Sequence, residues 1–269
     1  MPIFDGSETP KRPLYDKQDG NGEQAATAMY VNDQDGQGER LVWTASDGAL
    51  IASFENAEFD DAWHGRKDTV DGDLVTTTAR AVDGTTSLRH PADGSYDATQ
   101  SSPGDGLAQY IGVPSKQRFY VYFDDWSAVD CYWFFCRRNS GNDALSLRFW
   151  GTNNSMFFNE YVDGDLQTIA RSNSPSPPDD QWLEITITVN DDTGTYAGLQ
   201  DFEPMIEVYQ VDSSFNRTTE VTTFYGDDGA GDPIAISQSN ALNPGEGGYR
   251  WSFQGNAIVD VDYHHTVDN

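Results

Sequence analysis

Short alternating or aromatic-rich runs, separated by turn clusters, occupy most of the chain after about residue 50. In WLEITITV (182–189) apolar and polar positions alternate strictly, which is typical of a strand with one face in a core and one in water. No stretch shows an apolar period of 3.6 residues over helical length. The turn clusters include DG, NDDTG and NPGEGG, and the pattern predicts an all-β sandwich or jelly roll. The predicted strands are 49–54, 74–82, 107–113, 118–123, 131–136, 144–150, 155–162, 166–170, 182–189, 205–211, 219–225, 249–253 and 257–263.

The N-terminal part of the chain has a different pattern. Residues 1–15 contain three prolines and no periodicity, so they predict an extended arm. Two near-identical units follow, QDGNGE (18–23) and QDGQGE (34–39). The stretch TAMYVNDQDGQGERLVW predicts strand, turn and strand, because a D-G pair flanked by β-formers is a hairpin signal. The chain therefore divides into an arm with β-hairpins (1–48) and a sandwich domain (49–269).

The second unit offers two interpretations. Asp33, Asp35 and Glu39 place carboxylates in a pattern close to a DxDGxG calcium loop, where alternate side chains converge on one ion. The first unit has Lys17 at the position corresponding to Asp33, so it does not repeat that pattern. A tight turn is favoured over calcium, because Asp-Gly supplies the positive φ that a hairpin needs.

The composition is strongly acidic, with a formal charge of −28 from 44 acidic and 16 basic residues. Aromatic residues make up 13% of the chain, which a disordered acidic segment lacks. A folded domain coated with carboxylates repels itself at low salt and is relieved by screening at molar salt, so the charge indicates a halophilic source. The same charge argues against nucleic acid as a partner.

Cys131 and Cys136 are five residues apart, so on a regular strand they point to opposite faces and predict two buried thiols rather than a disulfide. The first residues contain no apolar stretch of signal-peptide type, and no run approaches membrane-spanning length. These features predict a soluble protein that is neither inserted in a membrane nor exported by a standard signal peptide.

Four stretches resemble one family in the order in which they occur. They are SFENAEFDDAW (53–63), VDGTTSLR (82–89), QWLEITITV (181–189) and GYRWSFQGNAIVDVDYHH (248–265). They resemble the LamG-like, concanavalin A-like jelly-roll family. The resemblance implies a jelly-roll sandwich over about residues 50–265, a fold that hosts lectins, glycan-binding modules, glycosidases and structural domains.

The resemblance also implies that the first and last strands meet in mid-sheet, with Glu55 near Asp260 or Asp262. Many jelly rolls of this type keep a structural Ca²⁺ at that place, and carboxylate oxygens suit this ion. The alternative is that the three carboxylates face water.

Catalytic signatures are absent from the sequence. Glycoside hydrolases of this fold carry an E-x-D-x-x-E run on one strand, and neither EITITV nor VDVDY supplies that acid/base pair. No GxSxG, P-loop or HExxH motif occurs. We therefore expect a protein that is not an enzyme.

Binding is the remaining expectation. Alternation in FYVYFDDW puts Tyr120 and Tyr122 on one face, and Arg137 and Arg138 follow in CYWFFCRR. Such a face suits a polar glycan, and the alternative is that these aromatics pack in the core. Trp150, at the end of a predicted strand, is the candidate for a stacking platform at a loop edge.

These features together favour a virion surface protein of a tailed virus of a halophilic archaeon: a capsid spike, turret, decoration protein or tail fibre. Its arm would pack among copies in a symmetric homo-oligomer and against other virion proteins. Its outer domain would contact a host surface protein or glycan. The alternatives are a stand-alone haloarchaeal glycan-binding module and a purely structural virion protein.

Overall fold

The fold is taken from a computed structural model of the chain. It describes residues 3–4, 10–11, 28–33, 38–44, 50–52, 69–70, 75–82, 84–91, 96–100, 115–138, 144–227, 234–237 and 247–267. The structure of these ranges is almost entirely β, with short 3₁₀ turns at Trp126–Ala128 and Gly151–Asn153. None of the helices in the described part of the chain is long and apolar enough to cross a membrane.

Two antiparallel sheets account for most of the described strands, and they are named here sheet I and sheet II. Sheet I contains β5 (Leu50–Ala52), β7 (Val75–Thr77), β8 (Ser87–Pro91), β10 (Ser115–Phe123), β15 (Gln181–Val189), β16 (Pro204–Val211), β17 (Arg217–Tyr225) and β19 (Ile258–Thr266). Sheet II contains β6 (Thr69–Val70), β9 (Tyr96–Gln100), β11 (Val129–Arg138), β12 (Ala144–Trp150), β13 (Ser155–Val162), β14 (Asp165–Asn173) and β18 (Gly247–Gly255). Two further pairs precede them: β1 (Ile3–Phe4) with β2 (Pro10–Lys11), and β3 (Ala28–Asp33) with β4 (Gly38–Thr44).

The strand order is that of a jelly roll. Sheet I runs β17-β16-β15-β10-β19-β8-β7, with β5 also paired to β19, and sheet II runs β14-β13-β12-β11-β18-β9-β6. Among the described strands, the chain crosses between the sheets at β5 to β6, β6 to β7, β8 to β9, β9 to β10, β10 to β11, β14 to β15, β17 to β18 and β18 to β19. The last strand lies between β8 and β10 in mid-sheet. The predicted all-β jelly-roll sandwich is confirmed.

The hairpin predicted around the second QDGxGE unit is present. Strands β3 and β4 pair antiparallel, with Asp33 opposite Gly38, so QDGQGE spans the connection between them. The first unit, residues 18–23, lies outside the described residues. The predicted pairing of the two flanking strands is confirmed, and residues 34–37 between them lie outside the described residues.

The core lies between the inner faces of the two sheets. Strand β15 contributes Leu183, Ile185, Ile187 and Val189, each at most 1% exposed, as the alternation predicted. The prediction that its other face lies in water is wrong, because Glu184, Thr186 and Thr188 are at most 3% exposed. Sheet II contributes Trp133, whose ring centroid lies 4.8 Å from that of Phe119 in sheet I. Cys131 is a free thiol buried in the same core, and burial raises its pKa well above the usual value. The side chain of Cys136 is outside the described set.

Two local features set the register between β13 and β14 of sheet II. Asp163 and Gly164 both have positive φ, 54° and 91°, and form the two-residue connection between β13 and β14. Positive φ at both positions suits a type I′ hairpin turn, for which Asp-Gly is a preferred pair. Farther along, the pairing shifts by one residue between Phe158 and Asn159, where Ile169 is an extra residue in β14. This bulge re-aims the rest of β14.

Candidate functional site

The outer face of sheet II carries alternating aromatic and arginine side chains across four strands. Tyr132 of β11 is the register partner of Arg148 on β12, and Arg148 is the partner of Phe157 on β13. Phe157 is in turn the partner of Arg171 on β14. Trp150 lies two residues beyond Arg148 on the same face of β12. These five residues are referred to below as the platform.

Contacts between rings and guanidinium groups hold the platform together. The Cζ of Arg148 lies 4.0 Å from the ring centroid of Trp150 and 4.6 Å from that of Tyr132. The Cζ of Arg171 lies 4.9 Å from the centroid of Phe157. The rings of Trp150 and Phe157 have their centroids 5.9 Å apart. A cation within about 6 Å of a ring centroid is attracted by the ring quadrupole, so each arginine is fixed over an aromatic face.

Arg148 is fixed a second time by a carboxylate. Its Nε donates to Oδ1 of Asp130 at 3.0 Å and its Nη2 donates to Oδ2 at 2.9 Å. Asp130 is the register partner of Trp150, so the carboxylate lies at the edge of the platform. A bidentate pair of this kind adds geometric definition as well as energy. The guanidinium is therefore pre-organised before any ligand arrives.

The platform is partly open to solvent. Tyr132, Arg148, Trp150 and Phe157 are half-buried and Arg171 is exposed. Burial raises the pKa of Tyr132 to about 12, an effect that Arg148 partly opposes. Tyr132 therefore keeps its phenolic proton at all ordinary pH values and can donate a hydrogen bond. The surface combines half-buried aromatic rings, each with a guanidinium against one face, with N–H and O–H donors, which is the chemistry that a sugar ring requires.

The structure brings one of the sequence-predicted glycan-binding residues, Trp150, into this platform. Arg137 and Arg138 lie on β11, opposite Gly248 and Gly247 of β18, and their side chains are outside the described set.

Tyr120 and Tyr122 are placed differently from the predicted stacking surface. Their side chains do share the outer face of sheet I, but they are only 5% and 7% exposed. The hydroxyl of Tyr120 donates to Glu184 at 3.2 Å, and that of Tyr122 donates to Asp180 at 2.7 Å. Arg80 covers the Tyr122 ring at 3.7 Å from its centroid. Because both rings are almost fully buried, whereas the platform rings are half-buried, neither Tyr120 nor Tyr122 is accessible to a sugar, which corrects the expectation for this pair.

Asp260 was predicted as a calcium ligand and is instead surrounded by arginines. Its Oδ1 accepts from Nε of Arg89 at 2.6 Å, and its Oδ2 accepts from Nη2 of Arg89 at 2.7 Å and from Nη1 of Arg80 at 2.8 Å. The carboxylate is fully buried. Two guanidinium groups supply the positive charge that we expected from a cation, so this arrangement does not fit a calcium ligand.

Asp262 follows Asp260 on the same outer face of sheet I and is also fully buried. Its Oδ2 accepts a hydrogen bond from the backbone N–H of Val82 at 2.6 Å. The carboxylate thereby holds the segment before β8 against the outer face of sheet I. The expectation that the last strand meets a first strand in mid-sheet is met, since β19 pairs with β5. The expected approach of Glu55 to these carboxylates stays a prediction, because Glu55 lies outside the described residues.

The remaining metal predictions concern residues outside the described side chains. Glu55 and Asp35 lie outside the described residues, and Asp33 and Glu39 are described only as backbone of β3 and β4. Among the side chains that the structure does describe, no three His, Cys, Asp or Glu come together as a group that could hold a metal ion.

The outer face of sheet I contains a second buried ion-pair cluster. Arg217 donates from Nε to Oε1 of Glu184 at 2.5 Å and from Nη2 to Oγ1 of Thr186 at 2.8 Å. Arg118 lies 3.4 Å from the same Glu184 oxygen. Glu184 is 3% exposed, so this carboxylate is enclosed by its partners and is not presented to solvent. The cluster ties β15 to β17 and β10.

Sequence reasoning missed four of the five platform residues. Trp150 was found because a strand-end tryptophan is conspicuous. The other four become neighbours only through the register of four strands, and no local sequence motif predicts that register. They are Tyr132, Arg148, Phe157 and Arg171. The Asp-Gly pair at 163–164 was the available signal, because a two-residue turn fixes how β13 and β14 pair.

Neither a family model nor a curated protein sequence matches the chain. Several solved structures are similar to it. One is the carbohydrate-binding module CBM66 from Bacillus subtilis, at 8% identity and TM-score 0.38, covering 74% of this chain and 94% of that one. Another is the lectin UEA-II complexed with galactose, at 11% identity and TM-score 0.42, covering 82% and 99%.

A third similar structure is the CBM2 module of the evolved Dit protein of Lactobacillus casei BL23 phage J-1. It is 10% identical with TM-score 0.40, covering 83% of this chain and 99% of that one. The strand order of the two sheets, rather than these similarities, defines the sandwich described above.

Proposed function

We propose that this chain is a non-enzymatic, carbohydrate-binding surface protein of a virion, and that its platform attaches the particle to glycans of a halophilic archaeal host. The observation that carries the proposal is the cross-strand register Tyr132, Arg148, Phe157, Arg171 on the outer face of sheet II. It places ring faces and donors in one continuous surface.

The geometry favours binding because the surface is already ordered. Arg148 is held by the Asp130 carboxylate and by the rings of Tyr132 and Trp150. Ordering a long side chain at an interface costs about 0.5–1.5 kcal/mol, and a side chain that is fixed in advance avoids most of this loss. Aromatic rings likewise supply large contact area with few rotatable bonds.

The non-enzymatic part of the proposal is supported by three described carboxylates on the outer faces of the two sheets. Glycoside hydrolysis needs two carboxyl groups, one of them free to give and take a proton. Asp130, at the edge of the platform, is bonded through both oxygens to Arg148. On sheet I, Glu184 and Asp260 are buried against arginines. None of the three is free to act as a general acid on a bound glycan.

The viral and halophilic parts of the proposal rest on composition and on the order of the units. The charge of −28 suits a particle that works at molar salt. A hairpin of β3 and β4 precedes the sandwich in the chain, as expected for an attachment region followed by a displayed module. The partners are then further copies of the chain, other virion proteins and the host surface.

The test is binding of the purified protein to envelope preparations from haloarchaeal cells in molar salt. Trp150→Ala is expected to weaken binding at least about tenfold, since a central aromatic anchor contributes about 2 kcal/mol or more. Tyr225→Ala is the matched control, because Tyr225 is an exposed aromatic (45%) on β17 of the other sheet. Equal binding by wild type and Trp150→Ala, or a monomer with no affinity for envelopes, would contradict the proposal.

A further inference from the structure

We infer that the glycan recognised by the platform is anionic, and that Arg171 contacts its carboxylate or sulfate groups. The inference rests on the proposed function, because it names the ligand class for the same surface. The observation behind it is that Arg171 forms no ion pair with a described carboxylate, whereas every other arginine side chain that the structure describes forms one.

Five of the six described arginine side chains form an ion pair with a carboxylate. Arg80 and Arg89 pair with Asp260, Arg118 and Arg217 pair with Glu184, and Arg148 pairs with Asp130. Arg171 has no ion pair with any described residue, and its one described side-chain contact is the Phe157 ring. Among the six described arginine side chains, Arg171 is therefore the exception, although the chain has 44 acidic and only 16 basic residues.

The backbone aims this arginine at the platform. Uninterrupted pairing from the Asp163-Gly164 turn would set Ala170 opposite Phe157, and Arg171 would then face the core with Met156. The bulge at Ile169 moves the register by one residue, so that Arg171 becomes the partner of Phe157 and is exposed. Bulges commonly re-aim a side chain in this way next to a functional site.

The dimensions suit an extended polymer. Adjacent strands lie about 4.8 Å apart, so the three steps from Tyr132 to Arg171 span about 14 Å, enough for several sugar rings. In the row Tyr132, Arg148, Phe157, Arg171, the charge of Arg148 is neutralised by Asp130. Arg171, at the β14 end of the row, has no ion pair with a described carboxylate. A chain lying along the row would stack on the rings and meet an uncompensated guanidinium at β14.

A guanidinium without a carboxylate partner selects an anion over a neutral hydroxyl. Its fork of N–H donors matches the planar oxygens of a carboxylate and the oxygens of a sulfate, and such charged hydrogen bonds are about twice as strong as neutral ones. The net charge of −28 would repel a polyanion at low salt. At molar salt the screening length falls to about 3 Å, so the long-range repulsion vanishes while direct contact remains.

The experiment uses dextran, carboxymethyl-dextran and dextran sulfate, which share one neutral backbone and differ in the presence and kind of anion. Binding to the full chain is followed at molar salt by tryptophan fluorescence and calorimetry. The variants are Arg171→Gln, Trp150→Ala and, as a charge-matched control, Lys116→Gln. Lys116 is half-buried on β10 of sheet I, away from the platform face.

We expect wild type and Lys116→Gln to bind one or both anionic dextrans at least about tenfold more tightly than dextran, which corresponds to one charge-assisted hydrogen bond. Arg171→Gln is expected to lose this preference and to bind dextran with the same affinity as wild type. Trp150→Ala is expected to weaken binding to all three polymers. Preference for only one anionic dextran identifies the group as carboxylate or sulfate.

Equal affinity of wild type for neutral and anionic dextrans would overturn the anionic ligand and leave glycan binding intact. A preference that Arg171→Gln retains would overturn the role of Arg171. Equally tight, Arg171-dependent binding of single-stranded DNA would also overturn it, by showing that any polyanion suffices. No binding to any dextran, together with no binding to host envelopes, would overturn the proposed function itself.

Discussion

Arg89 and Asp260 face each other as register partners on β8 and β19, and they meet through two hydrogen bonds of 2.6 and 2.7 Å. The carboxylate is fully buried and the arginine side chain is 17% exposed. The pair joins the last strand of the sandwich to a strand near its beginning. Arg80 forms a second ion pair with the same carboxylate.

Replacing Asp260 by Asn is therefore expected to lower the free energy of unfolding by about 3–5 kcal/mol, because two guanidinium groups lose their buried counter-charge. Asp130→Asn is the matched control. Asp130 and Arg148 are each 21% exposed, and a pair open to solvent contributes about 1 kcal/mol or less. Denaturant unfolding in molar salt measures both. Equal losses for the two variants would show that burial of Asp260 does not matter.

Salt is expected to stabilise the whole chain. The formal charge is −28, and lowering the salt from about 1 M to about 0.1 M lengthens the screening distance from about 3 Å to about 10 Å. Repulsion among surface carboxylates then grows, so the thermal midpoint should fall as salt is removed. Sucrose, which stabilises by exclusion without adding ions, should not replace the salt. A midpoint independent of salt would contradict the halophilic interpretation.

Alkaline pH is expected to destabilise the fold through Tyr122. Burial, together with the hydrogen bond to Asp180, raises the pKa of Tyr122 from 10.0 to about 12. Across this interval the unfolded chain has released a proton that the folded chain still holds, so the free energy of unfolding falls as pH rises. Denaturant unfolding at several alkaline pH values measures the slope.

Tyr122→Phe should reduce that slope without abolishing it. The pKa of Tyr132 is also raised to about 12, mainly by burial, so its contribution persists in the variant. An unchanged slope in Tyr122→Phe would show that Tyr122 titrates alike in the folded and unfolded chain.

Gly151→Ala is expected to destabilise the protein by about 3 kcal/mol and to disturb Trp150 beside it. A Cβ at Gly151 would lie 1.5 Å from the backbone oxygen of Trp126, so the 3₁₀ turn must shift. Gly194→Ala is the control, because its Cβ would meet nothing within 4 Å although its φ is +75°. That strain costs about 1–2 kcal/mol. Denaturant midpoints compare the two, and an equal or smaller loss at Gly151 would contradict the clash.

The strands that alternate cleanly were predictable from the sequence. Strands β12 and β13 begin and end where the pattern placed them, at 144–150 and 155–162. Strands β8 and β9 were missed because their sequences, SLRHP and YDATQ, are short and contain few apolar residues. In β8 the one described core residue is Leu88, and Arg89 contributes through its ion pair instead.

The candidate site was less predictable, for a physical reason. Its geometry depends on pairing across strands, and a single bulge at Ile169 decides whether Ala170 or Arg171 faces Phe157. A bulge has no strong local sequence signature, because its position depends on packing on both faces of the sheet. Similarly, alternation correctly predicted that Tyr120 and Tyr122 lie on the outer face of sheet I. It could not predict that Arg80 and Trp182 pack against the Tyr122 ring there.

All five platform residues come from one uninterrupted stretch, 132–171, whose four strands are neighbours both in the chain and in the sheet. The contacts of this surface are therefore made within a single meander, while the ion pairs that close sheet I join distant parts of the chain. A genetic exchange confined to this stretch would replace the whole platform at once and leave those ion pairs unchanged. Under the proposed function, the glycan preference would change with this one segment while the remainder of the sandwich is inherited unchanged.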